Sequence, residues 1–348
     1  MEKETVMKKS SGTTSNTLSK RVNVAAEVPL KVPLMVYIET SNHCNFSCSW
    51  CPTGNASVGE IRPSGNMSME LFAKILGDLK ELTDCAGQKI KQIGLFWMGE
   101  PFLNKKLLDF IRLAKDSGVA EKILVTTNGS LISEKNVNEI VKSGLDTLLV
   151  SFYGTTDDEY LALNKKFTFR SIVDNLSTLK KTRDETFSGE GPLIVAKVFS
   201  NPELAERLLV DEYACVDSVA VESPFNWSDE YTKLTGQVVE IEDPGPMVFC
   251  PSAWFVMSIN WRGLVGVCCA DWANHINVGD FSIQSAKDIW AGDKLQEFKK
   301  SVASMEYVNN SACRGCTYFS VSHDPDTNID ELINNDLARA CSKPKYQS

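Results

Sequence analysis

Short apolar runs alternate with amphipathic segments along much of the chain. The runs are five to seven residues long and rich in β-branched and aromatic side chains, which favours strands. We predict strands at residues 34–39, 92–97, 122–126, 147–152, 193–199 and 218–222. The segments between them carry apolar residues at helical spacing, and we predict helices at residues 68–82, 103–117, 133–143, 169–183 and 202–213.

Repeated alternation of strand and helix predicts parallel strands joined by crossover helices. Six such strands favour an open, partial (β/α)6 barrel over a closed barrel of eight. The predicted fold class is therefore α/β. Its site is expected at the carboxyl ends of the strands, where barrels of this kind place their functional loops.

Composition divides the chain into five parts. Residues 1–30 are polar and predict a disordered tail, residues 31–223 form the partial barrel, and a Pro- and Gly-rich linker follows at 224–249. The pattern of apolar and polar residues within 250–320 predicts a small unit with strands at 254–260 and 263–269 and a helix at 285–305. A polar tail ends the chain at 321–348.

The bulk composition narrows the class of partners. A net charge of -9 argues against a partner held through phosphate contacts, such as a nucleic acid. No uninterrupted apolar run approaches the ~20 residues that span a bilayer, and the first residues lack a secretory signal, so we expect a cytoplasmic protein with no membrane partner. Eleven cysteines in that compartment favour metal or redox sites over disulfides.

The first cysteine cluster follows the first predicted strand. Cys44, Cys48 and Cys51 have the spacing C-x3-C-x2-C, which places three thiols around one compact centre. Structural zinc needs four ligands, and His43 is the one further candidate close by. A [4Fe-4S] cluster held by three cysteines leaves one iron open to an external ligand. A zinc site or plain core thiols remain the alternatives.

This spacing, with Trp50 before the last cysteine, resembles the radical S-adenosylmethionine (SAM) superfamily. The resemblance implies that the open iron binds SAM, and that reduction splits SAM into methionine and a 5′-deoxyadenosyl radical. Further motifs follow at successive strand ends. Their resemblance to the family implies SAM contacts from Gly99, Glu100, Asn128, Ser151 and, in a looser match, Lys165.

A second cysteine set lies in the C-terminal part, comprising Cys250, Cys268, Cys313 and Cys316. Four thiolates suit zinc or an iron–sulfur cluster about equally. The pattern is similar to the SPASM/twitch group of radical SAM enzymes. That resemblance implies one fully ligated auxiliary [4Fe-4S] cluster, serving electron transfer or structure.

Two further residues are candidates for roles at the site. Cys269 follows Cys268 directly, and neighbours on a strand point to opposite faces, so Cys269 is either a core thiol or a hydrogen donor facing the substrate. Lys197 lies inside the fifth predicted strand. It either points into the barrel or forms a salt bridge at the rim.

The resemblance implies a SAM-dependent oxidoreductase or epimerase acting on a carbinol carbon of a small polar substrate, such as a sugar, aminocyclitol or nucleoside. Its expected partners are that substrate and a reductant such as flavodoxin or ferredoxin. Two alternatives stay open at this point: modification of a ribosomally made peptide, and a non-enzymatic iron–sulfur or zinc protein.

Overall fold

The structure is a computed structural model that describes residues 22–54, 62–199, 201–210, 213–241, 245, 247–321 and 324–346. Residues 1–21 of the predicted N-terminal tail, and parts of the predicted linker and C-terminal tail, lie outside the described residues.

One sheet of nine strands organises the described chain. The strands are β1 Met35–Ile38, β2 Ile90–Gly94, β3 Ala120–Thr127, β4 Thr147–Phe152, β5 Leu193–Phe199, β6 Ser218–Glu222, β7 Val256–Ile259, β8 Leu264–Gly266 and β9 Gly279–Asp280. Their order across the sheet is β6-β5-β4-β3-β2-β1-β7-β8-β9. Strands β1 to β6 pair in chain order and in parallel. The predicted α/β class with an open parallel sheet is confirmed.

The C-terminal hairpin continues the sheet on the other side of β1. Strand β7 pairs with β1 in parallel, Val36 opposite Met257 and Ile38 opposite Ile259. Strands β8 and β9 then follow in antiparallel order. The small C-terminal unit therefore shares backbone hydrogen bonds with the barrel, which the sequence analysis did not predict.

In the described chain most helices lie between strands, while the first precedes β1 and the last five follow β9. The helices are α1 Val24–Glu27, α2 Met69–Ala86, α3 Leu107–Ser117, α4 Val137–Lys142, α5 Asp157–Asn164, α6 Phe169–Lys181, α7 Pro202–Val210, α8 Asp229–Thr235, α9 Ser252–Phe255, α10 Ala286–Trp290, α11 Asp293–Ala303, α12 Tyr318–Val321, α13 Asp330–Asn335 and α14 Leu337–Ala340. Helix α6 continues into a π-helical turn at Thr182–Thr186. Helix α2 shows why they form: Ser68 caps its first turn, and Phe72, Ile75 and Leu79 bury one stripe against the sheet.

The predicted helix at 285–305 is wrong, because the chain forms two helices there. Helix α10 ends at Trp290, and Gly292 is the extended N-cap of α11. A Cβ atom at Gly292 would lie 2.6 Å from the carbonyl oxygen of Asp288, so the chain can fold back on α10 here because this residue has no side chain. The predicted strand at 254–260 begins later, since residues 252–255 form α9.

The predicted boundaries of the tails also differ from the structure. Val24 and Leu30 are buried although both fall in the predicted N-terminal tail. In the predicted C-terminal tail, Arg339 donates to the carbonyl oxygens of Val28 and Ala25 at 2.9 and 2.8 Å. The indole of Trp254 donates to the Ala340 carbonyl at 2.7 Å. The two ends of the described chain thus pack together, through apolar residues spread too thinly to form a periodic pattern.

The described part of the predicted linker at 224–249 contains one helix, α8, which Ser228 caps by accepting a hydrogen bond from the backbone of Tyr231. Among the described helices, none has the length and apolar character needed to cross a bilayer.

Candidate active site

The inner face of the sheet carries two layers of side chains. Leu124, Leu149 and Val195 form a buried apolar floor on β3, β4 and β5. Because side chains on a strand alternate between faces, the residues two positions further along point the same way. These are Thr126, Ser151 and Lys197, joined by Glu222 on β6, and we call the four the polar layer. All of them line one cavity of 620 Å³.

The first cysteine set lines the same cavity. The loop after β1 brings Cys44, Cys48 and Cys51 to its wall. The Cys51 backbone donates to the Cys48 carbonyl at 3.1 Å, and that of Phe46 donates to the Cys44 sulfur at 3.4 Å. The loop thus curls on itself with its thiols facing one space.

Burial raises the pKa of each of the three thiols. It raises the pKa of Cys44 to about 12, and the charges of Glu100 and Cys51 add to the shift. Burial also raises the pKa of Cys48, with Cys51 and Cys44 as the next causes. A metal must displace these protons, because it binds the thiolate. Three convergent thiols on one open cavity fit a [4Fe-4S] cluster with one iron left for an external ligand.

Glu100 links two of the predicted motifs. Its carboxylate is buried, and accepts hydrogen bonds from the Thr127 hydroxyl at 2.8 Å and the Asn128 backbone at 2.7 Å. Burial raises the pKa of Glu100 to about 7, against the lowering effect of these donors. The Asn128 side chain in turn donates to Asn45, inside the cysteine loop, at 3.0 Å. The strand-end motifs therefore hold the cysteine loop in place.

The other predicted SAM contacts have different outcomes. Gly99 lines the cavity at φ 115°, and a Cβ atom there would lie 2.6 Å from the Ser41 carbonyl oxygen, so glycine is required. Ser151 lies in the polar layer. Lys165 is the exception: it is the left-handed C-cap of α5, its side chain is exposed, and it is not among the described residues that line the cavity. We therefore withdraw Lys165 as a SAM contact.

The second cysteine set converges on a separate, smaller cavity of 30 Å³. Cys250, Cys268, Cys313 and Cys316 all line it. Burial raises the pKa of Cys250 to about 11, with Cys268 as the next cause. The Cys316 backbone donates to the Cys313 carbonyl at 3.0 Å, which closes the turn between these two thiols. Four thiols around one small space fit a fully ligated cluster.

Cys268 and Cys269 separate the two cavities. Strand β8 ends at Gly266, so both cysteines lie in the turn that follows rather than on the strand we predicted. They still face different ways: Cys268 lines the small cavity and Cys269 lines the large one. Their thiols remain in contact, and the Cys269 thiol also contacts Tyr318.

A buried ion pair joins the barrel to the C-terminal unit. Glu39 and Arg62 are 0% and 6% exposed, and their side chains meet at 2.5 Å. Arg62 also donates to the Trp272 carbonyl at 3.2 Å, and its guanidinium stacks 4.9 Å from the Trp97 ring centroid. The Trp97 indole donates to the Cys269 carbonyl at 2.6 Å. Sequence reasoning missed this network because its members are far apart in the chain.

Within the described residues, no group of three or more His, Cys, Asp and Glu is arranged to hold a single metal ion.

Sequence reasoning also missed Thr126 and Glu222, although a signal was present. Each follows an inward apolar residue by two positions, as Lys197 does after Val195.

Two family models match the chain. The radical SAM superfamily model matches residues 38–189, and the SPASM iron–sulfur cluster-binding domain model matches residues 250–317. Together they cover more than half of the chain and contain the seven cysteines of both sets.

Individual proteins and solved structures are similar to this chain over most of its length. A SAM-dependent 2-deoxy-scyllo-inosamine dehydrogenase of Niallia circulans is 23% identical over 82% of this chain and 94% of its own length. A crystal structure of BtrN in complex with AdoMet and 2-DOIA superposes with a TM-score of 0.56 at 20% identity, covering 84% of this chain and 95% of that one. SuiB of Streptococcus suis bound to precursor peptide SuiA gives 0.57 at 15% identity, covering 84% and 71%.

The two structural likenesses show the fold. The two family matches show the cofactors: SAM with its [4Fe-4S] cluster in the barrel, and an auxiliary iron–sulfur cluster in the C-terminal domain. With convergent thiols in both places, this chain belongs to the radical SAM superfamily and carries a C-terminal SPASM domain.

Proposed function

We propose that this radical SAM enzyme dehydrogenates a carbinol carbon of a small polar substrate of the sugar, aminocyclitol or nucleoside type. One observation carries the proposal. The large cavity touches the three cysteines of the first set at one wall and Cys269 at another, and Cys269 adjoins Cys268 of the second set. A substrate in this cavity lies between the source of the radical and an acceptor for the remaining electron.

The residues divide the work in a simple way. Cys44, Cys48 and Cys51 hold the SAM cluster, and Gly99, Glu100, Asn128 and Ser151 contact SAM. Cys250, Cys268, Cys313 and Cys316 hold the auxiliary cluster. When bound and reduced by a flavodoxin or ferredoxin, SAM and its cluster supply a radical that removes one hydrogen atom from carbon.

The chain's own side chains supply binding and shielding. Aromatic residues make up much of the cavity wall, among them Tyr37, Phe96, Trp97 and Trp227. They exclude water from a carbon radical, while the polar layer offers hydrogen bonds to a hydroxyl-rich ligand. The dehydrogenase from Niallia circulans, whose name specifies an aminocyclitol, supports this substrate class.

Epimerisation is the second candidate, and Cys269 is the observation that favours it. Its thiol lines the cavity and could return a hydrogen atom to a substrate radical from the side of the auxiliary domain. Oxidation is preferred because four thiols for an electron-accepting cluster converge beside the same wall.

Incubation in D2O distinguishes the two reactions. Anaerobically reconstituted protein, SAM, dithionite and candidate substrates should give 5′-deoxyadenosine and a product two hydrogens lighter. Cys269→Ala should retain this activity, as should Cys215→Ala, a matched control whose thiol is buried away from the cavity. A deuterated product of otherwise unchanged mass, lost in Cys269→Ala alone, would establish epimerisation instead.

A further inference from the structure

Lys197 and Glu222 face each other inside the large cavity. Lys197 pairs with Ala220 across β5 and β6, and Glu222 lies two residues beyond Ala220 on the same face. The Lys197 Nζ and Glu222 Oε2 atoms are 3.7 Å apart, and the two side chains are 19% and 15% exposed. This separation is too long for a hydrogen bond, so the two charged groups lie close together without being hydrogen-bonded to each other.

The second carboxylate oxygen of Glu222 is left without a donor. Within the described residues, Glu222 Oε1 is buried and has no hydrogen-bond partner. The hydroxyl of Thr126, also in the polar layer, is buried and unpartnered in the same part of the chain. A buried polar atom without a partner is costly, and a carboxylate oxygen especially so. A bound ligand that brings its own donor would remove this cost.

The other charged side chains on the described cavity wall are already engaged. Glu100 accepts from Thr127 and Asn128, and Glu159 closes the capping box of α5 with Thr156. Because Glu100 is assigned to SAM, Lys197 and Glu222 are the charged pair that remains for the substrate among the described lining residues. Their side chains are mostly buried, at 19% and 15% exposed, so the pair is largely enclosed by the cavity wall.

We propose that Lys197 and Glu222 form a substrate subsite for a vicinal amino alcohol or vicinal diol. An N–H or O–H group of the ligand donates to Glu222 Oε1, and an adjacent ligand oxygen accepts from Lys197 Nζ. This assignment rests on the proposed function for the presence of a small polar substrate. It adds which side chains recognise the substrate, and through which groups.

Equilibrium binding tests the subsite without turnover. SAM-loaded, unreduced protein is titrated calorimetrically with two probes, 2-deoxy-scyllo-inosamine as the amino alcohol and scyllo-inositol as the uncharged polyol. Glu222→Gln keeps the size and one acceptor but removes the charge. We expect this variant to weaken the binding of 2-deoxy-scyllo-inosamine, the ammonium probe, about tenfold, which corresponds to about 1.4 kcal/mol. The binding of scyllo-inositol should weaken less, because hydrogen bonds between charged groups are stronger than those between neutral groups.

Two further variants make the test specific. Lys197→Met should weaken the binding of both probes, because it removes the hydrogen-bond donor on the other side of the pair. Glu203→Gln changes an exposed glutamate in the first turn of α7 and should bind both probes as the wild type does. SAM affinity, measured in every variant, should be unchanged and reports that the barrel is intact.

The outcomes separate this subsite from the reaction. Loss confined to the ammonium probe places an amine at Glu222, and equal loss of both probes places a hydroxyl there. Unchanged binding in both Glu222→Gln and Lys197→Met, or a wild type that binds neither probe, overturns the subsite. Probe binding that depends on the pair, without 5′-deoxyadenosine and oxidised product on reduction, leaves the subsite standing and refutes the proposed function.

Discussion

Removing the Arg62 guanidinium should destabilise the protein strongly, and removing both partners of the buried pair should not. In Arg62→Met, the Glu39 carboxylate stays buried. It then keeps donors from the backbone of Met98 at 3.3 Å and Trp261 at 3.2 Å, both of them long. Breaking a buried pair from one side costs about 3 to 5 kcal/mol, since a charge is left without its partner.

The structure also indicates which effect dominates in the intact pair. Burial raises the pKa of Glu39 although Arg62 lowers it, so desolvation outweighs attraction. The pair therefore adds little net stability, and the double variant Glu39→Gln/Arg62→Met should recover at least half of the loss. The two backbone donors bind different oxygens of Glu39, so glutamine keeps an acceptor for one of them while it removes the unpaired charge.

Thermal melts under anaerobic conditions, at one scan rate, measure both effects. For 348 residues the unfolding entropy is about 0.7 kcal/mol per kelvin, so the single variant should melt about 4 to 7 °C lower. Arg112→Met, which breaks two surface ion pairs of a 37% exposed arginine, is the control and should shift the midpoint by about 1 °C or less. A single variant no worse than this control, or a double variant as unstable as the single, would refute the reasoning.

Two more predictions concern the cofactor sites. Anaerobically purified protein should contain about eight irons per chain. Replacing Cys44, Cys48 and Cys51 by alanine should leave about four irons and abolish SAM cleavage. Cys313→Ala/Cys316→Ala should lose the other four irons and retain part of the SAM cleavage activity. Zinc in the freshly purified protein would contradict the second assignment. Since the raised pKa of Glu100 is about 7, its carboxyl is protonated below that pH, and SAM affinity should fall as the pH drops from 8 to 6. Glu100→Gln should bind SAM weakly with no such pH dependence; a wild type with flat affinity over this range would contradict the role of Glu100.

The sequence predicted those parts of the fold that depend on local pattern. Strands β4, β5 and β6 have the predicted bounds because each is a short run rich in apolar and β-branched residues, and β4 is buried at every position. Both cysteine sets could be found because their spacing is short or matches a family motif. The break before α11 was missed because a single glycine inside a helical pattern is often tolerated, so Gly292 did not by itself predict a helix end.

Contacts between distant segments were beyond the sequence pattern. Glu39 and Arg62 are isolated charges in the sequence, and nothing local indicates that both are buried or that Trp97 lies beside them. The pairing of β7 with β1 joins segments more than two hundred residues apart. Lys165 shows the opposite failure: its position in the chain matched a motif, but its side chain is exposed and is not among the described residues that line the cavity.

Strand β1 has neighbours on both sides, and one of them, β7, is among the last strands to leave the ribosome. Until β7 has been synthesised, β1 is an edge strand, and its unpaired backbone N–H and C=O groups on one side can pair with a strand of another molecule. Closing that edge requires a loop over most of the chain, which is a slow step of high contact order. The loop that receives the SAM cluster follows β1 directly, so we expect the first cofactor site to reach its final form only after the domain that holds the second has been synthesised.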